Sequence, residues 1–304
     1  MKQSLIHKKL LFVLGFSFLF VGCATVDETL YLREAEVSGP LTPAPIHITD
    51  STDIPSITIS PTFSYNTKNT FTGNITEFTS LYGLDTAFIP SDNSLLWNVA
   101  TVNAGVNFDI KILKGFALTL GVNYSGQTNF DAWGGNFGIG FFSVSKGVAF
   151  RMDAGLQIHS MQYDAYTVSK VVITDIWGDR DEYISFYHDT GESTHFDPYV
   201  TLTFNTAFKN WPVNMFINGG YVVQTLFSFT PENSYYIYPI FTYHKSDQRG
   251  SRTAGFIALT PGIYFNVTEI TRVAAGCGFY FETQINDANP NLFILPMMQV
   301  DFTF

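Results

Sequence analysis

Charge is scarce in this chain of 304 residues: Asp, Glu, Lys and Arg together make up 14%, against roughly a quarter in an ordinary soluble domain. The basic share is thinner still. Sixteen Lys and Arg stand against 26 Asp and Glu, for a net charge of −10, so there is no basic face to neutralise phosphates and nucleic-acid binding is excluded. Two cysteines, Cys23 and Cys277, cannot staple a disulfide scaffold. Cys-x-x-Cys, the Gly-x-Ser-x-Gly elbow and the phosphate loop are all missing, and no heptad runs through the chain. Aromatics are abundant instead, at 16% with 30 Phe and 16 Tyr, alongside 24 Gly. That richness excludes a disordered chain.

The first residues read as an export signal. Lys2, Lys8 and Lys9 form a positive region ahead of the apolar stretch Leu10–Gly22, which is too short to span a bilayer as a helix. It ends in Phe20-Val21-Gly22-Cys23, which resembles the bacterial lipobox, with Phe20 where Leu is usual. The resemblance implies lipoprotein-sorting machinery as a partner and a covalent diacylglycerol or acyl lipid on Cys23; no other cofactor is expected. Three segments follow: a lipoprotein signal peptide at 1–22, a lipid anchor with a Pro-rich periplasmic tether at 23–55, and a barrel at 56–304. Pro40, Pro43, Pro45 and Pro55 argue for a semi-rigid tether outside any packed domain. Cys277 reads as a small hydrophobe, buried or facing lipid.

From residue 56 onward the hydrophobic period is two. About ten runs alternate, near 56–66, 96–110, 116–125, 135–143, 148–160, 198–207, 213–227, 254–265, 271–282 and 292–304. In the third, Phe116, Leu118, Leu120 and Val122 oppose Ala117, Thr119, Gly121 and Asn123. The links after even-numbered runs are short (111–114, 144–147, 208–212, 266–270), and those after odd-numbered runs are longer (67–95, 126–134, 161–197, 228–253, 283–291). Polar faces carry Thr, Ser, Asn, Gly and Gln with few charges, while apolar faces are aromatic-rich. A soluble barrel would turn Lys and Glu outward; a bilayer demands the reverse, and demands closure. Trp97, Trp133, Tyr65, Tyr124 and Tyr221 are the expected interfacial girdle. The chain ends Phe302-Thr303-Phe304, which resembles the C-terminal assembly signal of bacterial outer-membrane barrels. The resemblance implies an all-β fold, a transmembrane antiparallel up-and-down β-barrel of about 10 strands with short periplasmic turns and longer extracellular loops. It also implies outer-membrane lipids and the barrel-assembly machinery as partners, with both termini periplasmic.

Chemistry has few places to sit. Asp109, Arg151, Asp153, Arg272 and Asp301 fall on inward faces near the short-turn end, where an ion-paired plug is expected to narrow the lumen. The segment 161–197, read as an outer loop, carries Trp177, Asp179, Asp181, His188, His195 and Asp197. The main expectation is a non-enzymatic protein: a narrow channel, a small-ligand passage, or a structural and surface-interaction protein for a small solute or surface partner. No catalytic residue and no metal site is assigned. One rival is an outer-rim hydrolase resembling omptins, with the Asp179/Asp181 pair facing His195 and Asp197. The other is a soluble periplasmic β-lipoprotein binding a hydrophobic ligand.

Overall fold

The structure is a computed structural model that describes residues 24–49, 54–73, 76–77, 94–127, 130–175, 177–208, 211–229, 241–247, 250–283 and 291–304. The signal region and Cys23 lie outside the described residues. Among these the strands are, in chain order, β1 (Ala24–Gly39), β2 (Ser56–Tyr65), β3 (Thr70–Gly73), β4 (Thr76–Glu77), β5 (Ser94–Val99), β6 (Val102–Leu113), β7 (Phe116–Gln127) and β8 (Phe130–Ser145). Then come β9 (Val148–Thr174), β10 (Arg180–Thr206), β11 (Asn214–Phe229), β12 (Phe241–Asp247), β13 (Gly250–Asn266), β14 (Thr271–Glu282) and β15 (Leu292–Thr303).

Ten of these strands close on themselves. The ring runs β2-β6-β7-β8-β9-β10-β11-β13-β14-β15 and returns to β2, every pair antiparallel and each strand beside its chain neighbour within the ring. Closure leaves no wall strand with an unpaired edge across the barrel. The period-two pattern decides which face points where. Leu118, Leu120, Val122, Phe137, Ile139 and Phe141 are exposed on the outside, whereas Thr119, Asn103, Asn107, Thr201 and Thr203 are buried inside. The soluble-lipoprotein rival required the apolar face to be the core; that face points outward.

Tight turns gather at one end. Lys114-Gly115 joins β6 to β7, and Lys146-Gly147 joins β8 to β9 with φ of 46° and 79°. Both central residues of that second turn are left-handed, as a two-residue hairpin of this twist requires. Residues 207–213 and 267–270 make the other two links at this end. Phe304 lies here too, exchanging backbone bonds with Ile57.

At the opposite end several expectations are corrected. The 161–197 segment is not a loop: β9 and β10 stay paired from Val148–Thr206 to Arg180–Thr174, because the alternation of β-formers continues through both. The 126–134 link is short, since β7 and β8 pair through Gln127 and Phe130. The 96–110 run is two elements. It breaks at Ala100-Thr101, and β5 leaves the wall to pair with β1 in parallel and with β3. Trp97 therefore belongs to the interior and not to the girdle. Trp133, Tyr65 and Tyr221 remain exposed on the outside.

The largest correction concerns the tether. β1 adds to the free edge of β9 beyond the barrel, from Ser38 opposite Gln162 to Thr25 opposite Thr174. Residues 40–49 then descend through the lumen, where Leu41, Thr42, Ala44, Ile46, His47, Ile48 and Thr49 are all buried. The described N-terminal segment thus stands at the end opposite Phe304, not beside it. The prolines that suggested exclusion from a packed domain suit this path, since they bring no N–H that a dry interior would have to satisfy.

Candidate functional site

The lumen is the site, and it is occupied by the chain itself. The strap, residues 40–49, carries no internal hydrogen-bond ladder, so its backbone is held by side chains from the wall. At the upper end the Ala100 amide donates to the Gly39 carbonyl at 2.9 Å. Gln224 of β11 then grips both sides of the strap: its Nε2 donates to the Pro40 carbonyl, and its Oε1 accepts from the Thr42 amide at 3.4 Å. Gln157 Nε2 of β9 donates to the Pro43 carbonyl at 3.3 Å, and the Tyr280 hydroxyl of β14 bonds the Ala44 backbone. Lower down, Gln299 Nε2 of β15 donates to the Ile46 carbonyl at 3.1 Å, and Arg272 Nη2 of β14 to the Ile48 carbonyl at 2.8 Å. Asn205 of β10 closes the series, donating to the Thr49 carbonyl at 2.8 Å and accepting from its amide at 3.3 Å. Wall side chains from five strands therefore read one extended backbone, giving buried partners to carbonyls and amides along its whole length. The strap's apolar side chains pack on both sides of this series. Leu41 and Ala44 join the upper hydrophobic cluster, and Ile46 and Ile48 pack with Phe216, Tyr264 and Ala274.

The five inward charges expected near the tight-turn end come together as ion pairs. Arg151 donates from Nη1 and Nη2 to the two oxygens of Asp109 at 2.7 and 2.9 Å, and from Nε to both oxygens of Asp153 at 2.9 Å. The guanidinium is fully buried, as is Asp153. A bidentate fork suits this geometry, which a lysine could not reproduce. Gly140 makes room for it: a Cβ there would lie 2.6 Å from Arg151 Nη2 and 2.5 Å from Asp153 Oδ1. Arg272 pairs with Asp301 at 2.6 Å, stacks over the Tyr264 ring at 5.3 Å, and Gln299 Nε2 supports Asp301 Oδ1 at 2.7 Å. His47 of the strap is buried within electrostatic range of Arg151, Asp153, Asp109 and Asp301.

Above the strap the lumen turns apolar. Trp97 of β5 and Phe71 of β3 are buried against the inward rings of Phe256 and Phe293, with centroids 5.7–6.4 Å apart. Leu95, Val99, Leu226 and Leu295 complete this cluster. Between the strap and the β2–β6–β7–β8 wall a cavity of about 60 Å³ remains, where Asn103, Asn107, Asn123 and Asn136 face Ile46, Leu295 and Met297. It has room for a few waters and nothing larger.

The six residues of the former loop do not form a cluster. Asp179 and Asp181 sit at the far tip of the β9–β10 hairpin, where the Asp175 carboxylate accepts the amides of Trp177 and Asp179. His195 and Asp197 stand at its base; His195 is fourteen strand positions beyond Asp181, about 45 Å. The omptin-like quartet is therefore not assembled, because strand pairing stretches the segment instead of folding it back. Asp197 is a wall fastener: it accepts from the Thr225 amide at 2.6 Å and hydroxyl at 2.7 Å, where β11 parts from β10. His195 Nε2 meets Ser193 Oγ at 2.8 Å, and His159, opposite it, bonds the Thr225 carbonyl at 3.1 Å. His188 pairs with Asp164 at 2.7 Å on an exposed face and stacks on Tyr166. Beside Asp189 on the same hairpin, burial raises the Tyr163 phenol above its ordinary pKa and the Asp189 charge adds to the rise. Trp177 is exposed at the tip. Among the described residues no three His, Cys, Asp or Glu side chains are grouped to hold a metal ion.

Sequence reasoning missed the strap and its readers. Gln157, Gln224, Gln299 and Asn205 are inward amides at strand positions where small Thr or Ser would serve a wetter lumen. That was the available signal.

No protein-family model and no curated protein sequence matches the chain. Among solved structures, the chain is similar to the outer membrane protease OmpT from Escherichia coli, at 8% identity over 85% of this chain and 99% of that one, with a TM-score of 0.40. It is also similar to Neisserial surface protein A, at 7% identity over 82% and 97% with a TM-score of 0.28. LpxR from Salmonella typhimurium matches at 7% identity over 81% and 100%, with a TM-score of 0.30.

Proposed function

We propose that this protein is an outer-membrane β-barrel whose lumen is closed by its own N-terminal segment, and that it serves as a structural and surface-interaction protein without catalysis. A closed ring with an apolar outside is what hydrocarbon tolerates, since the wall strands pair with one another around the ring and the exposed outer positions are apolar. The tight turns then face the periplasm and the β9–β10 hairpin faces outward.

One observation carries the reading against an open channel: among the described residues the buried strap runs through the lumen and the Trp97 cluster packs above it. The 60 Å³ cavity is too small for a solute passage. What reaches outward is a sheet. β10 from Arg180 to Phe196 extends about 50 Å past the wall, and β11 joins it only from Tyr199 onward. Tyr183, Phe186, Tyr187 and Trp177 are exposed along it. Such an aromatic, half-paired strand suits contact with another surface. Acylation of Cys23, which lies outside the described residues, is part of the same proposal.

Purified protein in a planar bilayer tests the closed lumen. The intact chain is expected to be silent, and a variant lacking residues 40–49 with Trp97→Ala is expected to conduct. Steady conductance from the intact chain would overturn the reading.

A further inference from the structure

We infer that the chain crosses the membrane inside its own barrel, so that β1, Ala24–Gly39, is displayed on the outer face while Phe304 stays on the periplasmic side. This rests on the outward assignment of the β9–β10 hairpin made above.

The strap has one direction. Gly39 is bonded at the hairpin end through Ala100, and Thr49 at the tight-turn end through Asn205. Ten extended residues reach roughly 30 Å at 3.1–3.3 Å each, slightly more than the ~25 Å apolar band of an outer-membrane barrel. The strap is therefore just long enough to traverse the wall, with no slack for a return. What precedes it is not loose: β1 continues outward on the edge of β9 for the full length of the hairpin, to Thr25 opposite Thr174.

The order of the chain makes the enclosure feasible. The strap leads directly into β2, the first wall strand, which is sealed last by β15. That seam is interrupted: Met297–Gln299 pair with Thr62–Ser64 and Phe302–Thr303 with Thr58–Ile59, while Pro61 between them has no N–H to give. The sheet can thus close around a strap already laid against its inner face. Once closed, withdrawing the strap would strand Gln157, Gln224, Gln299, Asn205 and Arg272 without their backbone partners, at a cost for each buried group.

Single cysteines read by a membrane-impermeant maleimide on intact cells test this. The parent is the full chain with Cys277→Ser, which supplies the background of Cys23, and each variant is first shown to be heat-modifiable in SDS. Arg33→Cys is placed on the exposed bulge of β1 between Leu32 and Glu34. Trp177→Cys marks the hairpin tip and Glu269→Cys the exposed turn at the opposite end. Arg33→Cys and Trp177→Cys are expected to label on intact cells, and Glu269→Cys only after the outer membrane is permeabilised. Labelling of Trp177→Cys but not Arg33→Cys on intact cells would overturn the threading and leave the barrel's orientation standing. Labelling of Glu269→Cys alone would overturn the outward assignment beneath both proposals.

Discussion

Replacing Arg151 by Met keeps most of its volume and removes its charge, and the consequence can be worked from its surroundings. The guanidinium is fully buried and holds Asp109 and Asp153 at 2.7–2.9 Å, with those carboxylates themselves almost wholly shielded. Without it, two anions face each other in a dry lumen. Removing one partner of a buried pair typically costs about 3–5 kcal/mol, and two stranded carboxylates put this site at the upper end. At 1.4 kcal/mol per tenfold, about 5 kcal/mol is a loss of several thousandfold in the folded-to-unfolded ratio. The assay is a urea titration in detergent micelles, read as the fraction keeping the compact mobility of the unheated barrel, with the slope checked for constancy. The triple variant Arg151→Met, Asp109→Asn, Asp153→Asn replaces the charges together and is expected to recover most of the loss. A loss below about 1 kcal/mol in the single variant, or a triple variant no better than the single, would refute the claim that this is a dry, interdependent ion cluster.

Two further substitutions separate the outside from the inside. Leu120→Arg places a charge on the exposed outer face of β7 and is expected to cost about 2–4 kcal/mol in lipid, measured by folding into vesicles; an indifferent result would mean that this face does not meet hydrocarbon. Trp97→Ala empties the centre of the aromatic cluster, with an expected loss of about 3–5 kcal/mol in the same urea titration while the ring still closes; a loss under 1 kcal/mol would show that the cluster does not pack as described.

Most of the wall was legible in the sequence because a wall strand advertises itself locally. Leu118, Leu120 and Val122 alternate with Thr119, Gly121 and Asn123, and that alone fixes both the strand and which face is buried. The pairs Lys114-Gly115 and Lys146-Gly147 carry their turn chemistry within two residues. The inward charges were legible for the same reason: parity along each strand places Asp109, Arg151, Asp153, Arg272 and Asp301 on one side. What parity does not give is partnership: the register of β14 on β15 sets Arg272 opposite Asp301, and only the curvature of the ring brings Asp109 of β6 to Arg151 of β9.

Residues 40–49 show where local reading stops. Their partners are side chains of strands far along the chain: Ile46 is held by Gln299, 253 positions away, and Pro40 by Gln224 at 184. A segment whose backbone is satisfied by distant side chains has no period of its own, so its prolines look like those of a tether. Trp97 had the right alternation for a wall strand, but β1 and β3 offered it a partner inside the mouth. The sequence by itself therefore determined the barrel, its faces and its two unlike ends, because those follow from contacts between chain neighbours. Tertiary structure alone decided that the lumen is filled and that the described N-terminal segment emerges at the end opposite Phe304, because both depend on the ring closing around a strand that none of its neighbours in sequence could hold.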